Sequence, residues 1–139
     1  MNYEIEDYGA KPLVVNIDRL TKANRNFRTA LWTGKHLQLT LMSIPPGGEI
    51  GLEMHSDVDQ FIRIESGYAG VMMGKSRDNL DYQRRADADY AVIIPAGTWH
   101  NIINIGNKPL KVYSIYAPPN HPFGTVHRTK HDADMEDKH

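Results

Sequence analysis

The sequence predicts a single all-β domain, and three observations carry that expectation. Apolar residues recur with period two in short runs, the spacing of strands with one face turned inward. Glycine, proline and asparagine punctuate those runs: PPGG at Pro45 to Gly48, SG at Ser66 and Gly67, PAG at Pro95 to Gly97, and GNKP at Gly106 to Pro109. The length, 139 residues, suffices for one hydrophobic core and not for two. Short strands with turns every ~8–12 residues favour a sandwich or small barrel over alternating βαβ units.

Taken in order, LVVNI (Leu13 to Ile17) is the first expected strand. DRLTKANRN, from Asp18, is the one segment with helical period, a short helix with Asp18 as N-cap that decorates the sheet. RTALWT (Arg28 to Thr33) and HLQLTLMSI (His36 to Ile44) follow as strands, the second with Leu37, Leu39 and Leu41 on one face. QFIRIES puts Gln60, Ile62 and Ile64 on one face and Phe61, Arg63 and Glu65 on the other. YAGVMM (Tyr68 to Met73), DYAVII (Asp89 to Ile94), WHNIINI (Trp99 to Ile105) and LKVYSIY (Leu110 to Tyr116) complete the set. The closing TKHDADMEDKH has no periodic apolar face, so burial cannot offset its ordering entropy. The domain is accordingly drawn over residues 1–124, with a charged, flexible tail over 125–139.

Composition excludes several classes of function. Sixteen basic and 17 acidic residues give a formal charge of -1, without the basic excess that nucleic acid or an anionic membrane demands. No apolar run approaches the ~20 residues of a membrane span. The start, MNYEIEDYGAK, is acidic where a secretory signal is basic and then apolar, so the expected location is cytoplasmic. Cysteine is absent, which leaves only nitrogen and oxygen donors for any metal.

The stretch GLEMHSDVDQ carries the chemistry-bearing residues. Glu53 and His55, at i and i+2, share a face in extended chain, which is how a strand offers two ligands to one ion. Gln60 stands at odd spacing from His55, but a break at Ser56 and Asp57 resets the parity and brings Gln60 inward with Ile62 and Ile64. Alone, E-x-H-x4-Q is a weak signal shared with many solvated loop ends. The wider frame is more specific: Gly47-x5-Glu53-x-His55-x4-Gln60-x6-Gly67, and later Asp89-x5-Pro95-x-Gly97-x2-His100-x3-Asn104.

That frame resembles the cupin superfamily, with first motif G-x5-H-x-H-x(3,4)-E-x6-G and second motif G-x5-P-x-G-x2-H-x3-N. The resemblance implies an RmlC-like double-stranded β-helix, a jelly-roll barrel with a metal held inside by three histidines and a glutamate. Carried over by position, those ligands are Glu53, His55, Gln60 and His100, with glutamate in the first histidine slot and glutamine in the glutamate slot. The glycine that opens the second motif is Asp89 here. The two ligand exchanges together preserve one negative charge, and two histidines with a carboxylate form the facial donor set favoured by non-haem Fe(II). Fe is therefore the favoured divalent metal, with Mn, Ni or Zn compatible, and Glu53 a general base if it is not a ligand.

The resemblance implies metal-dependent chemistry on a small organic molecule, either dioxygenase-like oxidation or isomerase or lyase chemistry; the alternative is a non-catalytic cupin that binds or senses a small ligand. It also implies a homodimer. Gly67, Pro95 and Gly97 read as turn geometry, and Asn104 as a structural hydrogen bonder. His55 and His100 have an alternative as hydrogen-bonded core histidines. His36, His121, His127, His131 and His139 fit no ligand spacing, the last four being expected in solvent. Trp99, Tyr113 and Tyr116 read as pocket lining or as core.

Overall fold

The computed structural model describes residues 4–136. Helix α1 (Ile17–Ala23) precedes strands β1 (Arg28–Thr33), β2 (Gln38–Ile44), β3 (Asp59–Ser66), β4 (Ala69–Gly74), β5 (Tyr82–Ala86), β6 (Ala91–Ile94), β7 (Trp99–Asn104), β8 (Leu110–Ala117) and β9 (Val126–His127), and helix α2 (Lys130–Glu136) follows. All pairings are antiparallel, in a six-stranded sheet ordered β6-β3-β8-β2-β1-β9 and a three-stranded sheet ordered β5-β4-β7. Residues 49–53 bridge to β7 at Glu49–Ile103 and Glu53–His100, extending the smaller sheet. The two sheets enclose a core of Met42, Ile44, Ile62, Ile64, Val71, Ile102 and their neighbours, the jelly-roll architecture that the motif frame implies. Among the described residues no helix is long and apolar enough to cross a membrane.

Both faces of the larger sheet are buried, which the alternation in β2 does not reveal by itself. Leu39 and Leu41 face outward, where Leu31 and Tyr113 join them beneath Ile5, Tyr8, Val15 and Leu20. The inward set is Gln38, Thr40, Met42 and Ile44, all buried. The expected strand at Leu13 to Ile17 is not a strand: the segment is extended and alternates in burial, but it lies on the outer face of the sheet without joining a ladder. Period two marks one buried face, and a chain laid across a sheet satisfies it as well as one paired within it. Helix α1 is capped by Asn16, not Asp18; the Asn16 side chain accepts from the Arg19 amide at 3.0 Å. Asp18 sits in the first turn instead, paired with Lys22 at 3.1 Å.

The largest correction concerns residues 125–139. Their described part, through Glu136, is folded. β9 pairs with β1, Phe27 and Ala30 donate to the carbonyls of Arg128 and Thr125 at 3.0 and 2.9 Å, and Ala133 of α2 joins the core. Main-chain pairing and one buried histidine hold the segment, so a hydrophobic pattern is not needed to order it. Residues 137–139, including His139, lie outside the described residues.

Candidate metal centre

The backbone sets the centre before any side chain does. Ile50 donates to the Ile102 carbonyl, Glu53 and His100 exchange both main-chain hydrogen bonds at 3.0 and 2.9 Å, and Gly97 donates to the His55 carbonyl at 2.7 Å. The Gly51 amide adds a bond to the Asn101 side chain at 2.9 Å. Residues 50–55 are thus zipped along β7, and Glu53 and His55 project toward His100. Bends at Ser56 and Asp57 break the parity before β3, so that Gln60 turns inward with Ile62 and Ile64, all three buried.

The donor atoms of Glu53, His55 and His100 all lie within 4.8 Å of one another. Glu53 Oε1 is 3.4 Å from His55 Nε2 and 3.5 Å from His100 Nε2. These separations are long for hydrogen bonds. They match neighbouring donors around one ion, because bonds of about 2.1 Å to nitrogen and oxygen set such atoms about 3–3.5 Å apart. His100 Nδ1 lies 2.9 Å from the Thr98 carbonyl, which only accepts, so Nδ1 carries the proton and Nε2 a lone pair. Nε2 of both histidines is buried without a hydrogen-bond partner. A cation between these converging donors would satisfy the unpartnered Nε2 atoms and the carboxylate together. Burial opposes ionisation of Glu53, yet His100 and His55 outweigh it and hold the carboxyl well below the usual carboxylate range.

Gln60 stands on β3 opposite Tyr116 of β8. Its amide donates to Ser114 Oγ at 3.1 Å, and its Oε1, buried and without a partner, is the remaining acceptor. The residues present therefore fit a divalent ion, with Glu53, His55 and His100 converging and Gln60 Oε1 in the same lumen.

Several residues expected elsewhere also face this lumen. His127 is 2% exposed and His121 is largely buried, against the expectation that both sit in solvent; His36 and His131 are exposed. His121 lies edge-on between Tyr116 and His127, at centroid distances of 5.2 and 6.2 Å, and Tyr116 lies 6.0 Å from His55. Gln38 positions His121: its Oε1 accepts from the amides of Asn120 and His121, and its Nε2 donates to the His121 carbonyl. Burial and the nearby Arg28 charge push the His121 pKa down to about 3. Arg28 is itself buried and donates to His127 Nδ1 at 3.1 Å. The signal for Arg28 was present, since it occupies an inward phase of RTALWT, but one arginine in a strand start reads as a solvated end. Tyr113 packs on the outer face, Trp99 stacks under Arg77, and Asn104 ties Ile44 and Lys108 together through its side-chain amide.

The sequence model of the cupin domain matches residues 40–116. The chain belongs to the cupin family. This cupin is 66% identical over 132 residues to the Bacillus subtilis protein YrkC, covering 95% of this chain and 71% of YrkC. It is 43% identical over 114 residues to protein L612 of Acanthamoeba polyphaga mimivirus, covering 81% and 69% of the two chains. The crystal structure of BH2720 from Bacillus halodurans superposes with a TM-score of 0.94 at 60% identity, covering 94% of this chain and 99% of that one. Cupins bind divalent metals, and this one brings a Glu/His/His cluster to the interior of its barrel.

Proposed function

We propose that this cupin is a mononuclear metalloenzyme acting on a small organic molecule, with Glu53, His55 and His100 as ligands and Gln60 as a weaker fourth donor. The observation that carries the reading is the convergence of three donor atoms with both histidine Nε2 atoms unpartnered. Two neutral nitrogens and one carboxylate favour Fe(II) among the divalent ions and leave coordination positions open. The ion would supply Lewis-acid or redox chemistry to an oxygen of the substrate. The chain's own contribution is orientation: Thr98 fixes the His100 tautomer, and Ser114 holds the Gln60 amide so that its oxygen is free. Tyr116, beside His55, walls one side of the lumen.

Elemental analysis of protein purified without a histidine tag tests the reading. About one equivalent of a transition metal is expected, falling at least tenfold in His100→Ala. Less than a tenth of an equivalent after reconstitution overturns it, and unchanged metal content in His100→Ala overturns the ligand assignment.

A further inference from the structure

We infer that Arg28 is the recognition residue for a carboxylate, and that the ligand of this barrel is a small organic acid spanning the metal centre and Arg28. The inference rests on the metal reading above and deepens it by naming the ligand class.

Arg28 is 4% exposed, and among the described residues no carboxylate lies within ion-pair distance of it. A guanidinium withdrawn from water without an opposing charge is costly, and a barrel core could hold an apolar residue there instead. Register shows that it faces the lumen, because Arg28 pairs with Met42 on one side and His127 on the other, and both are interior residues. Its guanidinium donates to His127 Nδ1, lies over the Phe27 ring at 5.3 Å and meets the Tyr116 hydroxyl, none of which carries an opposing charge. Arginine only donates, so His127 Nδ1 accepts and its Nε2 carries the proton toward Glu136 Oε2 at 2.6 Å. That relay steadies the arginine but leaves Glu136 one imidazole away at the half-exposed rim. Arg28 Nε is buried without a partner.

A single side chain links the two centres. The Tyr116 hydroxyl interacts with Arg28 and Ser114, while the Tyr116 ring lies against His55, so one tyrosine separates the guanidinium from the metal ligands. The Thr40 hydroxyl and His121 Nε2 are further buried polar atoms without partners, from residues that share this side of the lumen. Charge points the same way. With a dication seated, the positive charge of the ion and of Arg28 exceeds the single negative charge of Glu53, and an anionic ligand reduces that excess. Arginine matches a carboxylate by donating two parallel hydrogen bonds, a geometry that an amide or alcohol does not return.

Tag-free protein reconstituted with Mn(II) is titrated calorimetrically with acetate, glycolate and lactate and with the matching neutral amides. The acids are expected to bind at least about tenfold more tightly than the amides, Arg28→Gln to abolish the preference, and Arg28→Lys to keep part of it. Equal affinity for acid and amide in the wild type overturns the inference, as does a preference that survives Arg28→Gln. Should the glutamine variant not fold, an unchanged acid-to-amide ratio in Arg28→Lys overturns it equally. Metal content measured on the same samples separates the two readings. Protein that takes up no metal yet prefers acids through Arg28 keeps Arg28 as the carboxylate's recognition residue and overturns the metal assignment and the spanning pose with it, whereas a metalloprotein indifferent to Arg28 overturns this inference alone.

Discussion

Asp89 illustrates how a single position can depart from a motif while still obeying its geometry. It stands in the slot of the glycine that opens the second motif and adopts a φ of 75°, a left-handed conformation that glycine enters freely and aspartate tolerates. Its amide donates to the Ile64 carbonyl at 2.8 Å and its carboxylate accepts from Arg63 at 2.9 Å, so the turn keeps its function without glycine. Asp89→Ala is expected to lower stability by about 1 kcal/mol in urea denaturation, and Asp89→Gly to leave it level. Glu53, His55 and His100 were legible in the sequence for a related reason: strand parity and fixed glycines dictate where their side chains go. His121 and His127 were not, because what brings them inward is contact with Gln38 and Arg28, residues 83 and 99 positions away, and no local spacing encodes that.

Elements became legible in proportion to how much of their order comes from their own apolar pattern. β2, β3, β7 and β8 alternate or run apolar, and they form within two residues of where the pattern places them, β2 starting at Gln38 and leaving Leu37 exposed before it. β5, with the sequence YQRRA, is an edge strand exposed except at Ala86, so no pattern announces it. The carboxy-terminal segment is the extreme case, ordered by its ladder with β1 and by the His127–Glu136 contact. Ending the chain after Arg128 removes Glu136 and the buried Ala133 while keeping β9. The expected result is a loss of about 2 kcal/mol, read as a lower thermal midpoint, because a charged hydrogen bond to a buried histidine is lost. A truncated protein as stable as the full chain would show that α2 merely rests on the barrel.

Across the whole molecule the larger sheet sorts polarity along its strands. The row Gln38, Tyr116 and Gln60 lies at one end of β2, β8 and β3, while Ile44 and Leu110 lie at the other. Packing and chemistry are thereby given separate ends of one barrel. The polar end carries a pH dependence through His121, whose folded pKa of about 3 lies below its ordinary 6.5. Above pH 6.5 the ring is neutral in both states. Between 6.5 and 3 the unfolded chain binds a proton that the folded chain does not, so stability declines as pH falls, by up to about 1.4 kcal/mol per pH unit. Denaturation midpoints collected from pH 7 to 4 should show His121→Phe with a flatter profile than the wild type, and parallel profiles would sink this assignment.

The paired main-chain hydrogen bonds between Glu53 and His100 carry one more consequence. Two donors from segments far apart in sequence are locked in register by the same ladder that closes the barrel, so the cradle is finished when the chain finishes folding. An ion that bound there would find its berth already shaped and would have little left to organise. Loading and unloading would then be reversible events on a standing scaffold, unlike small zinc modules, in which removal of the ion dissolves the fold.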